Sequence, residues 1–166
     1  QSIDHIKLFE SFNPYDFGVI SYLHSQNDIL ASGGIVNSLS VSLAVPFSEN
    51  KIEEFYLEFF MKGILNESKK YNSVIASGHS YQSIEPGISI TMNGSINLLA
   101  KKNQAKKGDL IYLSKQLGSG YLLSAYFKNS PLLSIKDFQE IIDWLKTGNY
   151  LATRAAQKNN CNVMTD

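Results

Sequence analysis

The sequence predicts an α/β protein, and three observations carry that reading. Strand-like runs alternate with helix-like ones along most of the 166 residues. Helix boundaries carry their usual markers: Asn13-Pro14 and Ser134 stand before helical stretches, and Gly33-Gly34 stands after one. Hydrophobic residues make up 43% of the chain, an ordinary share for a globular protein. The length suits one domain with a real core, or one domain and part of another.

In order, Gln1–Phe9 reads as a short strand centred on Asp4. Asn13 caps a helix with Pro14 in its first turn, and Asp16 complements the helix dipole there. This helix runs to Gly33-Gly34, where glycine takes the left-handed stop, and a Val/Leu/Ser-rich strand then continues to Pro46. Ser48 is read as the cap of a long helix over Glu49–Tyr71, with Ile52, Phe55, Tyr56, Phe59, Phe60, Gly63 and Ile64 on one face. Val74–Ala76 is a strand that passes into a turn at Ser77-Gly78-His79-Ser80. Glu85-Pro86-Gly87 is a turn, and Ile88–Leu99 alternates as a strand. Beyond a lysine-rich loop, Leu110–Leu113 reads as a compact strand, and the stretch after Gly118-Ser119-Gly120 as a helix through Phe127. Two further helices span 134–145 and about 149–159, and Cys161–Met164 reads as a short strand. The loop at Lys101–Lys107 divides the chain into residues 1–105 and 106–166.

The charges cancel, 15 basic against 15 acidic. That balance gives no support to nucleic acid or an anionic membrane as the main partner, since both reward a basic face. No apolar run reaches the roughly 18 residues needed to span a bilayer, and no signal peptide is visible. A single cysteine, Cys161, excludes an intrachain disulfide and a Cys-rich zinc site, and fits a reducing, cytoplasmic setting. With Gln1 at one end and Asp166 straight after an apolar stretch at the other, the sequence reads as cut from something longer.

Several residues have a chemical and a plain structural reading side by side. Asp28 lies beside the Gly33-Gly34 corner, as a ligand for a metal or as a solvated helix-end acid. His24, one turn earlier, either shares a ligand with Asp28 or makes a surface hydrogen bond. Asp4 is costly inside a strand unless paired or metal-bound, and harmless at a strand end. Gly78-His79-Ser80 either offers backbone N–H groups to phosphate or forms an ordinary turn. Lys101, Lys102, Lys106 and Lys107 meet phosphates or simply solvate a connector. The glycine-bearing turn at Lys115–Gly120 could cradle an anion at a helix start, but it lacks the Walker spacing and ending.

The order of these stretches resembles the selenophosphate synthetases (selenide, water dikinases), within the aminoimidazole ribonucleotide synthetase-like superfamily. Asn13-Pro14-Tyr15-Asp16-Phe17-Gly18 is similar to the family's DPYDFG, and Asp28 through Gly34 to its SDxxAMGG. Gly78-His79-Ser80 resembles the end of GGHS, with Glu85-Pro86 after it. Gly108-Asp109 through Gly120 resembles GDxLxLTKPLGTG, and Met164-Thr165-Asp166 resembles MTD. The resemblance implies an N-terminal-type domain with a mixed sheet and flanking helices, dimerising through its sheet, followed by the start of a second α/β domain. It implies ATP as substrate and Mg²⁺ held by Asp4, Asp28 and Asp166, with Gly78, His79 and Ser80 near the nucleotide phosphates. It further implies phosphorylation of selenide to selenophosphate with release of AMP and phosphate, by a homodimer. Hard oxygen ligands of this kind suit Mg²⁺, which bridges phosphate oxygens as charge shifts during transfer.

The departures are specific. The family's Asn in AANALSD is His24 here, and the Ser before its Asp is Asn27. The first glycine of GGHS is Ser77, and the following Asp is Gln82. The family's N-terminal glycine-rich loop, with its reactive Cys and Lys, has no counterpart in this stretch. Cys161 lies beside the MTD motif and not in that loop, so it is not assigned as nucleophile. This stretch by itself is therefore not expected to carry the full reaction, and two readings stand: part of an ATP-dependent selenophosphate synthetase-like enzyme, or a non-catalytic module kept for dimerisation or regulatory nucleotide binding.

Overall fold

The computed structural model describes residues 1–7, 12–96, 99–161 and 163–166, and for residues 3, 5 and 7 the backbone only. Its elements are β1 (Ser2–Lys7), α1 (Pro14–Ala31), β2 (Gly34–Pro46), α2 (Asn50–Lys70), β3 (Val74–Ser83) and β4 (Gly87–Ile96). A 3₁₀ turn at Lys102–Gln104 follows, and then α3 (Ser119–Phe127), α4 (Ile135–Leu145) and α5 (Tyr150–Lys158).

The strands form one mixed sheet in the order β1-β4-β2-β3. β4 runs antiparallel to both β1 and β2, whereas β3 is parallel to β2. A parallel neighbour needs a crossover, and α2 supplies it. Leu39, Val41 and Leu43 of β2 and Ile88, Ile90 and Met92 of β4 turn to one side, where they join Phe17, Leu23, Phe60 and Ile64 in the main core. Both long helices cover that side.

The large apolar side chains in the middle of the two central strands thus turn toward the helices. The opposite face carries Ser38, Ser40, Ser42 and Ala44 of β2 beside Ser89, Thr91 and Asn93 of β4, as the pairing register and the two-residue alternation require.

Helix α1 begins as the sequence implies, with the Asn13 side chain accepting from the Tyr15 N–H at 2.9 Å and Pro14 in the first turn. It ends at Gly33, whose φ of 80° is the left-handed stop that glycine allows. Helices α2, α3 and α5 are followed by Asn72, Asn129 and Asn160 in the same left-handed region. The cap of α2 differs from the reading: Glu49 occupies it, and the Ser48 hydroxyl donates to the Pro46 carbonyl instead. Only the second half of α2 is core, through Phe60, Gly63 and Ile64, while Ile52 and Phe55 stay about half exposed.

Two backbones touch where α1 crosses α2. A Cβ on Gly63 would overlap the Tyr15 carbonyl oxygen and stand 2.9 Å from the Val19 nitrogen, and a Cβ on Gly18 would overlap the Phe60 carbonyl. On its far side α1 receives the C-terminal helices, where Ile20 packs with Phe138 and Ile142, backed by Phe12, Tyr126 and Phe127. Lys146 reaches Asp16 at 3.2 Å across the same junction. Helix α4 starts in a full capping box between Ser134 and Asp137.

Two expected strands are not formed. Leu110–Leu113 is irregular and largely exposed, because no described strand lies beside it to pair its backbone. The described residues of Cys161–Met164 are likewise outside any strand. The expected ends of the first strand and of the Ile88–Leu99 strand run into residues 8–9 and 97–98, outside the described residues. The Ser77–Ser80 turn is replaced by strand: β3 runs on through Ser83, held by parallel pairing with β2.

Gly63→Ala tests the helix crossing. Helix propensity alone favours alanine by about 1 kcal/mol. The overlap with α1 outweighs it, so stability should fall by about 2–3 kcal/mol, read as a lower urea midpoint at unchanged slope.

Candidate functional site

Asp4, His24, Asp28 and Asp166 gather where β1 meets the C-terminal half of α1. Asp4 lies opposite Ile90 in the sheet, on the same face as Ser2 and Ile6 and toward α1. Ser2 donates from its hydroxyl to the Ser25 carbonyl at 2.9 Å, which pins β1 to the helix at this level. The His24 Nε2 stands 3.7 Å from the Asp4 Oδ1. The other oxygen of Asp4, Oδ2, is buried and has no hydrogen-bond partner among the described residues.

Asp28 projects from the last turn of α1 and shares a side-chain hydrogen bond with Asp166. Two carboxyls meet this way only if one keeps a proton or a cation stands between them. Desolvation, the contact with Asp166 and the charge of Asp4 all push the Asp28 carboxyl above its ordinary range, against a smaller pull from His24. For Asp166 partial burial works against ionisation. Hydrogen bonds from Asp28 and from its own backbone, together with Lys102 at 3.6 Å, prevail and hold it below the ordinary range. A proton is therefore held more tightly on Asp28 than on Asp166.

Neighbouring contacts fix this corner. The Asn149 amide donates to the Asn27 Oδ1 at 3.0 Å, and the Gln157 amide donates to the Gly33 carbonyl at 2.8 Å. The Ala100 N–H donates to the Ser32 carbonyl at 3.1 Å, which leads the chain back past the end of α1. The segment ending in Asp166 is thus laid against α1 by α5 and by the Ala100 crossing. Neither Asn149 nor Gln157 was singled out from sequence, and no motif marks them.

Among the described residues no three His, Cys, Asp or Glu side chains converge closely enough to hold a metal ion as they stand. The donor set nonetheless has the oxygen chemistry that a hard dication accepts, without the convergence. It offers carboxylate oxygens from three separate segments, one proton shared where a positive charge would substitute for it, and one buried carboxylate oxygen lacking any partner among the described residues.

Gly78, His79 and Ser80 lie elsewhere. They pair with Val41, Ser42 and Leu43 along the β3 edge. Asp4, Ile90, Val41 and Gly78 form one row across the sheet. At about 4.8 Å per strand, Gly78 is roughly 14 Å from Asp4. The structure brings the three aspartates to one corner and does not bring Gly78–Ser80 to them. Those residues border instead a groove of about 490 Å³ with Leu57, Met61 and Ile75.

Both residues that depart from the family pattern on this strand have internal partners. The Ser77 hydroxyl meets that of Ser40 at 2.6 Å on the open face of the sheet. The Gln82 amide donates to Glu53 of α2. An aspartate at position 82 would face Glu53 with like charge.

A four-stranded mixed sheet with two long helices on one face and further helices packed behind them places the chain in the α+β division of the α/β proteins. It belongs to the AIR synthase-related family: the model for "AIR synthase related protein, N-terminal domain" matches residues 2–96. Among curated proteins, the selenide, water dikinase of Pseudomonas straminea is 28% identical over 156 residues, covering 93% of this chain and 43% of that protein. The enzyme of the same name from Campylobacter jejuni is 26% identical over 155 residues, 92% of this chain and 44% of its own length. The chain thus spans less than half the length of these relatives. Among solved structures, thiamine monophosphate kinase from Aquifex aeolicus superposes with a TM-score of 0.78 at 21% identity, over 94% of this chain and 54% of that one. The hydrogenase maturation protein HypE of E. coli gives 0.64 at 18% identity, over 80% of this chain and 44% of that one. The mixed sheet with flanking helices and the kinship read from the motifs are both found; at these identities the solved structures speak for the fold alone.

The two shifted carboxyls set a pH dependence. A raised Asp28 contributes stability that is complete below its unfolded value and is lost as pH rises through its folded one. Asp166, held low, contributes stability above its unfolded value that is lost on acidification. Asp28→Asn keeps a donor toward Asp166 and abolishes the first loss. In metal-free buffer at pH 7 the variant should unfold at a slightly higher temperature than wild type, by no more than about 1 kcal/mol because the site is partly exposed. The gap should close on acidification through the raised Asp28 value.

Proposed function

We propose that this chain is the nucleotide-handling part of a selenophosphate synthetase-like phosphotransferase. The reaction is phosphorylation of selenide by ATP to selenophosphate, with release of AMP and phosphate. The observation that carries the reading is the corner where Asp4, Asp28 and Asp166 come together from three distant segments, in a chain 28% identical to a protein named selenide, water dikinase. In this reading residues 1–105 are the nucleotide-binding, dimerising unit, and 106–166 begin a second one that lends Asp166 to the first.

Asp4, Asp28 and Asp166 would hold Mg²⁺, which when bound supplies charge neutralisation at the transferring phosphoryl group. The chain's own residues do the rest. Asp28 gives up the proton it shares with Asp166, and Lys102 tempers the negative charge that remains. Gly78, His79 and Ser80, some 14 Å away along the row, would meet a different part of the nucleotide from the metal-bound phosphates. The fold relative AaThiL is described as complexed with AMPPCP and TMP, which supports nucleotide binding by this fold.

Asp28→Asn should weaken Mg-ATP binding at least tenfold, about 1.4 kcal/mol, by calorimetry at fixed free Mg²⁺. Equal affinity in the two proteins would leave Asp28 as a structural helix-end acid.

We also propose a homodimer formed through the uncovered sheet face. Small polar residues on that face allow two sheets to approach closely. Light scattering at tens of micromolar should give twice the chain mass, and a monomeric mass would refute the pairing.

One observation favours the non-catalytic reading as the second choice. Ser77 and Gln82 spend their polar groups on Ser40 and Glu53 of the same chain, where the family pattern has a glycine and an acid.

A further inference from the structure

We infer that pairing through the open sheet face is switched by pH, and that His79 is the group whose protonation separates the two copies. The inference rests on the homodimer proposed above and names what controls it.

Along β3 the pairing register turns Gly78 and Ser80 to the helix side with Val41 and Leu43. It turns Ser77, His79 and Tyr81 to the open face with Ser40, Ser42 and Ala44. The contact between the Ser77 and Ser40 hydroxyls fixes this direction. The His79 and Tyr81 rings stand side by side, 6.3 Å apart with 21° between their planes, as a ridge on the edge strand. Next to the ridge, Ser40, Ser42 and Ala44 of β2 and Ser89 and Thr91 of β4 form a floor of small side chains. A two-fold axis relating two such faces seats each ridge over the other copy's floor and buries both rings.

The face has no charge with which to meet an imidazolium. Among the described side chains that β2, β3 and β4 turn to it, none is an acid, a lysine or an arginine. Tyr81 is the titratable neighbour of His79 on its own strand, and Ser40, Ser42 and Ala44 face it from β2. The row of His79 continues through Ser42 and Ser89 to His5 of β1, three strands and roughly 14 Å away. Both long helices lie on the opposite side of the sheet. Histidine gains its proton as pH falls from 8 toward 5. In the separated chain His79 is exposed, and water solvates the new charge. Between two neutral faces the same charge loses that water and finds no acid, and the two-fold axis repeats the cost in both copies. Proton uptake therefore favours the separated chains.

The test is sedimentation over a dilution series at pH 8 and pH 5.5, with circular dichroism to verify folding at both. Wild type should dimerise at pH 8, with a dissociation constant at least about tenfold higher at pH 5.5. His79→Gln should give the same constant at both pH values. His79→Lys, charged at either pH, should be monomeric at both, and it serves as the second variant if His79→Gln does not fold. A wild-type dimer equally tight at both pH values would overturn the switch and leave the sheet-face dimer standing. So would a pH dependence retained in His79→Gln, or a tight dimer of His79→Lys. A wild-type monomer at pH 8 would remove the dimer itself, and this inference with it.

Discussion

The contact between the backbones of α1 and α2 at Gly18 and Gly63 is the constraint on which the rest depends. Side chains at either position would force the helices apart. Without them α1 lies close against α2, and both press on one face of the sheet. Phe17 then stacks toward Phe60 with ring centres 5.6 Å apart, and Tyr22 reaches the Ser73 hydroxyl at 2.8 Å. Burial pushes the Tyr22 phenol up to about 12, so this bond stays neutral at any physiological pH. The crossing and this bond fix α1 both along and around its axis.

That placement has chemical consequences at the other end of the helix. Once α1 is held, its last two turns can only face β1, and His24 and Asp28 come to Asp4. The same helix is buried on its outer side by the C-terminal helices through Ile20. Its sequence therefore lacks a clean polar stripe, since few of its faces see water. One rigid element carries the packing of both parts of the chain and two of the groups at the acidic corner.

The corner itself is electrostatically unfinished. Three carboxyls approach one another, one is pushed above its ordinary range, and one buried oxygen has no partner among the described residues. Such an arrangement costs stability that the surrounding packing offsets. The strand bearing Gly78–Ser80 has the opposite character. It is exposed, its polar side chains at 77 and 82 are paired, and it lies at the far edge of the sheet.

The sequence by itself determined the helices best, because caps and stops are local chemistry. Asn13-Pro14, Gly33-Gly34 and Ser134 each act within one turn, and α1 and α4 begin and end where those residues imply. Motif order also carried the family, since six short matches in register survive even at 26–28% identity. Tertiary structure decided what depends on pairing between distant segments. Whether Leu110–Leu113 becomes a strand turns on a neighbour to pair with, and among the described residues it has none. Ser77–Ser80 reads as a turn from its small residues, yet β2 supplies parallel partners and makes it strand. The face each strand residue takes, and so the polarity of the open sheet, follows from register and from the helices that settle on one side. Periodicity alone could not assign the meeting of Asp4, Asp28 and Asp166 either. It arises from where α1 is held and from how α5 lays the chain end against it, and neither is written in any short stretch of residues.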